Sequence, residues 1–79
     1  MGHQVVVMTR VNCSACIQVE RDVCRICDER GVPWSTVDVD TDEGLRAEYG
    51  DRVPVILIDG EEHGYWAVDE ARFQAALWR

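Results

Sequence analysis

The sequence has no lysine, no long apolar run and no internal repeat, and each absence excludes a class of protein. Its eight basic residues are all arginines, and fifteen acidic residues bring the net charge to −7 at pH 7. Nucleic acids and anionic membrane surfaces both require a basic footprint, so neither is expected as a partner. No apolar run exceeds four residues, whereas a membrane-spanning helix needs about 20.

The length and composition predict one small domain that covers residues 1–79. Of the 79 residues, 47% are hydrophobic, and a chain of this size buries about 60% of the surface that it exposes when unfolded. The first ten residues lack the basic and apolar segments of a secretory signal peptide. We therefore expect a soluble, cytoplasmic and monomeric protein.

Four cysteines form two Cys-x-x-Cys pairs, Cys13 with Cys16 and Cys24 with Cys27. Cytosolic thiols are mostly reduced, so a Cys-x-x-Cys pair in a cytosolic protein is more typical of catalysis or metal binding than of a permanent structural disulfide. The first pair follows the apolar run at 5–8 and opens a segment with helical spacing. A Cys-x-x-Cys between a buried strand and a helix is the pattern of a thioredoxin-like redox site.

Hydrophobic periodicity and turn signals predict seven elements in the order β-α-β-α-β-β-α. A helix from Cys13 ends before Gly31 and Pro33, since glycine and then proline mark a helix C-terminus. Asp40 is predicted to cap the short second helix, with Glu43 completing a capping box. The strands are predicted at 4–9, 34–39, 55–58 and 61–65, and the helices at 13–30, 40–50 and from 69 onward.

This order predicts an α/β fold built on a four-stranded mixed sheet with helices on both faces. About 24 residues including a helix separate the first two strands, so those strands are expected to be parallel. Asp59-Gly60 is a strong signal for a two-residue hairpin, so the last two strands are expected to be antiparallel. Asp69 is expected to cap the last helix, which buries Phe73, Ala76 and Leu77.

The element order, Cys13-Ser14-Ala15-Cys16 at the start of the first helix, and Val53-Pro54 before the third strand together resemble the thioredoxin fold. The short length looks specifically like the glutaredoxin branch, and the resemblance covers essentially the whole chain. It implies a thiol–disulfide oxidoreductase in which the Val53–Pro54 peptide is cis and lies beside the dithiol.

The resemblance implies different roles for the two cysteines. Cys13, at the beginning of the helix, would face unpaired N–H groups and the positive end of the helix dipole, which lower a thiol pKa. Cys16 lies one turn further in and is expected to be less exposed. Cys13 would therefore attack a substrate disulfide, and Cys16 would resolve the mixed disulfide.

The resemblance also implies a substrate- or thiol-binding set around the dithiol. Arg10 matches a position where glutaredoxins often carry a basic residue, which could lower the pKa of Cys13 and hold an anionic thiol. Val53 is expected to offer its backbone to a bound thiol or peptide. The complete expected set is Arg10, Ser14, Ala15, Arg52, Val53 and Pro54.

Two departures from the glutaredoxin pattern bear on the reductant. Ser14-Ala15 replaces the usual Pro-Tyr, and Arg52 replaces the usual threonine, so glutathione binding is not expected. No tightly bound cofactor is expected. Because the all-arginine composition is typical of a GC-rich, actinobacterial type of genome, mycothiol is one expected reductant and thioredoxin reductase is another. The expected partner is a disulfide-bearing protein.

A metal- or iron–sulfur-binding module that uses the same cysteines is the alternative function. Cys16 and Cys24 would be separated by about 12 Å of helix rise, so the two pairs cannot share one ion on an unbroken helix. Helical phase buries Cys27 and places Cys24 on the flank of the helix. The three tryptophans are expected to pack in the core or at its edge, with Trp66 left open because it could lie near the dithiol.

Overall fold

The computed structural model describes residues 2–78, so the two ends of the predicted domain, Met1 and Arg79, lie outside the described residues. The elements follow the predicted order, with a short 3₁₀ turn added after the second strand. In chain order they are β1 (Val5–Thr9), α1 (Ser14–Arg30), β2 (Trp34–Asp38), the 3₁₀ turn (Val39–Thr41), α2 (Glu43–Tyr49), β3 (Val55–Ile58), β4 (Glu61–Tyr65) and α3 (Glu70–Trp78).

The four strands form one mixed sheet in the order β2-β1-β3-β4. β1 and β2 are parallel, with Thr9 opposite Asp38. β3 is antiparallel to both of its neighbours, so that Val55 lies opposite Met8 on one side and Tyr65 on the other. The predicted fold class, the parallel first pair and the C-terminal hairpin are therefore confirmed.

Helices cover both faces of this sheet, as predicted. One apolar cluster joins the sheet to α1 and α3, and a second lies on the opposite face, where α2 contributes Leu45 and Tyr49. Side chains of β1 and β3 alternate between the two clusters because successive residues of a strand point to opposite faces. The first cluster contains Val5, Val7, Val19, Val23, Ile26, Cys27, Ile56, Ile58, Phe73 and Leu77. The second contains Met8, Val39, Val55 and Leu57.

The predicted cap of α2 is wrong. Asp42, not Asp40, caps this helix by accepting the Leu45 backbone N–H at 3.1 Å. Asp38 caps the preceding 3₁₀ turn by accepting the Asp40 N–H at 2.9 Å. Aspartates occupy every second position from 38 to 42, so several of them could cap a helix. The added 3₁₀ turn moves the cap of α2 from the predicted Asp40 to Asp42, two residues later in the chain.

The longest helix, α1, has 17 residues and a buried stripe that contains Val19, Val23 and Ile26. Its other faces are largely polar, so it is amphipathic in the manner of a helix packed on a sheet. Within residues 2–78, no helix combines the length and the apolar character needed to cross a membrane.

Candidate functional site

A disulfide joins Cys13 and Cys16 across the first turn of α1, with Cα atoms 5.2 Å apart. Cys13 is the N-cap residue, with an extended backbone, and its Sγ accepts the Cys16 backbone N–H at 3.0 Å. Its carbonyl accepts the Ile17 N–H at 3.3 Å, which begins the hydrogen-bond ladder of α1. The sulfur of Cys13 therefore occupies the position at which helix N-termini bind anions.

The two sulfurs differ in accessibility. Cys16 is 2% exposed and belongs to the core, whereas Cys13 is only partly buried. Ser14 and Ala15 between them are exposed, and the first turn of α1 carries no acidic side chain that would oppose the helix dipole. A disulfide partner can thus approach Cys13 more readily than Cys16.

The strand register gathers four chain segments at the edge of the sheet where the dithiol lies. β1, β2 and β4 end at this edge and β3 begins there, because Thr9 pairs with Asp38 and Val55 pairs with both Met8 and Tyr65. We call this region the dithiol edge. It consists of residues 10–16, 38–42, 50–54 and 65–69.

The Val53–Pro54 peptide is cis, as the resemblance implied. Pro54 is buried, Val53 is half-buried, and the Pro54 carbonyl accepts the Trp66 backbone N–H at 2.8 Å. The register places Pro54 immediately before the residue that pairs with Met8, at the same edge as Cys13. The structure thus brings these residues to one end of the sheet, while their part in binding a thiol stays a prediction.

Both predicted binding arginines carry carboxylate partners. Arg10 donates through Nε to one Asp40 oxygen and pairs through Nη2 with the other, each at 3.1 Å. Arg52 donates through Nη1 to Glu62 at 2.6 Å and through Nη2 to the Glu48 carbonyl at 2.8 Å. The two cations belong to the dithiol edge, and their proposed contact with a thiol stays a prediction.

An exposed aromatic pair at this edge was not predicted. Trp66 is 60% exposed and Tyr65 is 48% exposed, and their rings meet edge to face with centroids 4.9 Å apart. The expectation of core or edge packing is wrong for Trp78, which is 80% exposed, while Trp34 packs against the first cluster. Trp66, which the sequence left open, lies at the dithiol edge. The position of Trp66 directly after the returning hairpin strand was the one sequence signal for its location.

The second cysteine pair is placed as its helical phase predicted. Cys27 is fully buried, and that burial raises the pKa of its thiol to about 11. Cys24 is partly buried and donates its S–H to Asp28 at 3.4 Å, a bond that raises the pKa of Cys24. Among residues 2–78, no three or more histidine, cysteine, aspartate or glutamate side chains are grouped to hold a metal ion.

Comparison with known proteins yields one family and several relatives. The family model Glutaredoxin-like domain matches residues 4–78. An uncharacterized protein of Mycobacterium tuberculosis is 44% identical over 81 residues, covering 96% of this chain and 84% of the relative. A structural genomics target protein from X. campestris is 30% identical, with a TM-score of 0.75 over 92% of this chain and 93% of that one.

A likeness in fold alone links the chain to a glutaredoxin of known structure. Glutaredoxin 1 from Francisella tularensis, solved in complex with cacodylate, superposes with a TM-score of 0.64 at 21% identity. The match covers 99% of this chain and 100% of that protein. The predicted resemblance in architecture is confirmed.

Proposed function

Because the chain is a member of the glutaredoxin-like domain family, we propose that it is a thiol–disulfide oxidoreductase that reduces protein or low-molecular-weight disulfides. The observation that carries this proposal is the Cys13–Cys16 disulfide at the N-terminus of α1, with one sulfur accessible and the other buried. That arrangement supports a dithiol that cycles between reduced and oxidised forms in a defined order. A cytoplasmic location is part of the proposal, because the dithiol needs a reducing pool to return to its reduced form.

The reaction consists of two thiol–disulfide exchanges. The Cys13 thiolate attacks one sulfur of the substrate disulfide, forms a mixed disulfide with it and releases the other substrate sulfur as a thiolate. The Cys16 thiolate then attacks Sγ of Cys13 and releases the second substrate sulfur. The substrate gains two electrons and the dithiol loses two, and the protons of the two cysteine thiols end on the released substrate thiols.

The start of α1 supports the nucleophilic role of Cys13. In the disulfide form Sγ already accepts the Cys16 N–H, and a thiolate at the same position would keep that bond as a charge-assisted one. The helix dipole favours negative charge there as well. Cys16 is buried, and burial favours its neutral thiol over the thiolate. Cys16 therefore reacts second, when the mixed disulfide on Cys13 brings a reactive sulfur beside it.

The reductant in this proposal is a small thiol other than glutathione, such as mycothiol, or a thioredoxin reductase. Arg10, Ser14, Ala15, Arg52, Val53 and Pro54 form the proposed contact surface for the reductant and for the substrate. The ion pairs of Arg10 with Asp40 and of Arg52 with Glu62 support the exclusion of glutathione, because an anionic thiol would have to compete with bound carboxylates.

Single-cysteine variants test this function. We expect Cys13→Ser to abolish reduction of a protein disulfide and Cys16→Ser to lower steady-state turnover by more than about tenfold, since it retains only the first exchange. Cys24→Ser is the matched control, because Cys24 lies on the same helix outside the dithiol edge, and its turnover should equal that of the wild type. Full activity of Cys13→Ser would disprove the proposed mechanism.

A panel of reductants separates the proposed electron donors. The oxidised protein is mixed in turn with glutathione, mycothiol, or thioredoxin reductase plus NADPH, and the appearance of free thiols is followed over time. Mycothiol or the reductase should reduce the dithiol faster than glutathione does. Equally rapid reduction by glutathione alone would contradict the choice of reductant.

A further inference from the structure

The dithiol edge is acidic. Its four segments hold five aspartates and two arginines. Three helices begin at this edge, and the N-terminus of each contributes at most about half a positive charge. Since the aspartates outnumber the arginines by three, the helix dipoles offset at most half of the excess negative charge. The charged residues of the four segments are Arg10, Asp38, Asp40, Asp42, Asp51, Arg52 and Asp69.

The two cations of this edge are neutralised within the fold. Arg10 meets Asp40 through two nitrogen–oxygen contacts and donates to the Gly50 carbonyl at 3.5 Å. Arg52 meets both oxygens of Glu62. Neither Arg10 nor Arg52 therefore presents an unpaired guanidinium to an anionic substrate at Cys13, and Arg72 lies to one side, where it lines a cavity with Tyr65 and Asp69.

Tyr65 and Trp66 form an exposed aromatic surface at this acidic edge. The rings of Tyr65 and Trp66 are exposed and in contact with each other. The backbone of Trp66 has a left-handed φ of 71°, which a bulky residue rarely adopts, and its N–H is held by the Pro54 carbonyl. The aromatic surface is thus attached to the backbone of the cis-proline segment.

The sheet geometry sets the distance between the ends of β1 and β4 at the dithiol edge. β4 is two strands away from β1, and neighbouring strands are about 4.8 Å apart, which gives a separation of about 10 Å. An extended peptide rises about 3.3 Å per residue. Cys13 follows the end of β1 at the same edge, and we take this strand separation as its distance from the aromatic surface. At that distance, a polypeptide joined to Cys13 through its own cysteine would place a side chain about three residues away over Tyr65 and Trp66.

We propose that the dithiol edge selects disulfides in cationic polypeptide segments, with a substrate lysine or arginine about three residues from the reacting cysteine lying on Tyr65 and Trp66. This inference rests on the proposed oxidoreductase function and specifies its substrate class. The aspartates attract the cationic segment, and the ring faces provide a cation–π contact. The same field disfavours small anionic disulfides.

The test uses three peptides of equal length, each a mixed disulfide with 2-mercaptoethanol, with lysine, glutamine or glutamate at the third residue from the cysteine. Pre-reduced wild-type protein is mixed with each peptide, and the second-order rate of dithiol oxidation is measured. In low salt the lysine peptide should react about tenfold faster than the glutamate peptide. The difference should fall below about twofold in roughly 1 M salt, where charges are screened within about 3 Å.

Variants assign the preference to the named residues. Trp66→Ala should slow the lysine peptide by about two- to fivefold and leave the glutamine peptide unchanged. Trp78→Ala is the control, because Trp78 is exposed at the far end of α3 and contacts Arg30. Asp40→Asn removes the partner of Arg10 and should speed the glutamate peptide.

The outcomes separate this inference from the function on which it rests. Equal rates for the lysine and glutamate peptides in low salt would overturn the substrate class and leave the oxidoreductase function standing. Equal losses in Trp66→Ala and Trp78→Ala would overturn the role of the aromatic surface. Failure to oxidise the dithiol with any peptide would overturn both proposals.

Discussion

At the scale of single residues, the Sγ atom of Cys13 has two functions in one position. It forms the disulfide to Cys16, and it caps α1 by accepting the Cys16 N–H. Most helices use an oxygen from serine, threonine, aspartate or asparagine for this purpose. A sulfur in the capping position is stabilised as a thiolate by the helix itself, so the structural and the proposed chemical roles of Cys13 reinforce each other.

The thiols of the reduced protein should differ strongly in reactivity toward iodoacetamide at pH 7. The thiolate is the reacting form, and Cys13 has the helix N-terminus to stabilise it. The pKa of Cys27 is raised to about 11 by burial, and the pKa of Cys24 is raised by its bond to Asp28. Peptide mapping by mass spectrometry should find Cys13 modified first, then Cys24, with Cys27 unmodified over the same time.

The matched control for this labelling is the same protein in denaturant, where Cys13, Cys24 and Cys27 should react at similar rates. Labelling of Cys27 before Cys13 in the folded protein would contradict the assigned environments.

At the scale of elements, α1 is fixed at both ends by residues that the sequence identifies. Cys13 caps its start, and Gly31 ends it with a left-handed φ of 67°. The Val32 N–H reaches the Cys27 carbonyl at 2.9 Å, and the Gly31 N–H reaches the Asp28 carbonyl at 3.4 Å, which together form a Schellman motif. This ending holds the helix that carries the dithiol in a defined register against the sheet.

Substitution of Gly31 by alanine should lower the free energy of unfolding by about 1 kcal/mol. A Cβ at this position meets no atom within 4 Å, so the cost comes from the left-handed backbone alone. Gly2→Ala is the control, since Gly2 also has open space around it but no positive φ. Urea unfolding of both variants measures the difference, and an unchanged midpoint for Gly31→Ala would show that this conformation is not strained by a side chain.

The elements that the sequence predicted well have local signals. The bounds of β3 and β4, the C-terminal glycine of α1 and the cap of α3 follow from short apolar runs, a two-residue turn and capping residues close in sequence. The start of α2 was misplaced because Asp38, Asp40 and Asp42 are all capable of capping a helix. Only the path of the chain after β2 decides which of them does so.

The site was predicted only in part for a related reason. Cys13, Cys16 and the cis Val53–Pro54 peptide belong to motifs of adjacent residues. The pairing of Arg10 with Asp40 joins residues 30 positions apart, and the exposure of Trp66 depends on how β4 ends against Pro54. Such features arise from tertiary placement, so hydrophobic periodicity carries no signal for them.

At the scale of the whole molecule, the two apolar clusters share their strands. β1 supplies Val5 and Val7 to one cluster and Met8 to the other, and β3 divides its residues in the same way. Neither cluster can lose its contacts without disturbing the strands that support the other. The described chain therefore has the character of one cooperative unit.

Equilibrium unfolding in urea should accordingly show one transition, with an m-value of about 1 kcal/mol/M for a domain of this size. Far-UV circular dichroism reports the helices, and fluorescence reports the tryptophans, including the partly buried Trp34. The two signals should change at the same urea concentration. Separate midpoints would show that one face of the sheet unfolds independently.

The most direct test of the asymmetric dithiol is to trap the mixed disulfide. Reduced Cys16→Ser protein is mixed with a disulfide-bonded peptide, and the product is mapped by mass spectrometry without reductant. We predict a stable one-to-one adduct on Cys13, none in Cys13→Ser, and in the wild type only the released peptide thiol and the Cys13–Cys16 disulfide. An adduct on Cys24 instead of Cys13, or equal trapping by Cys13→Ser through Cys16, would contradict the proposed order of attack.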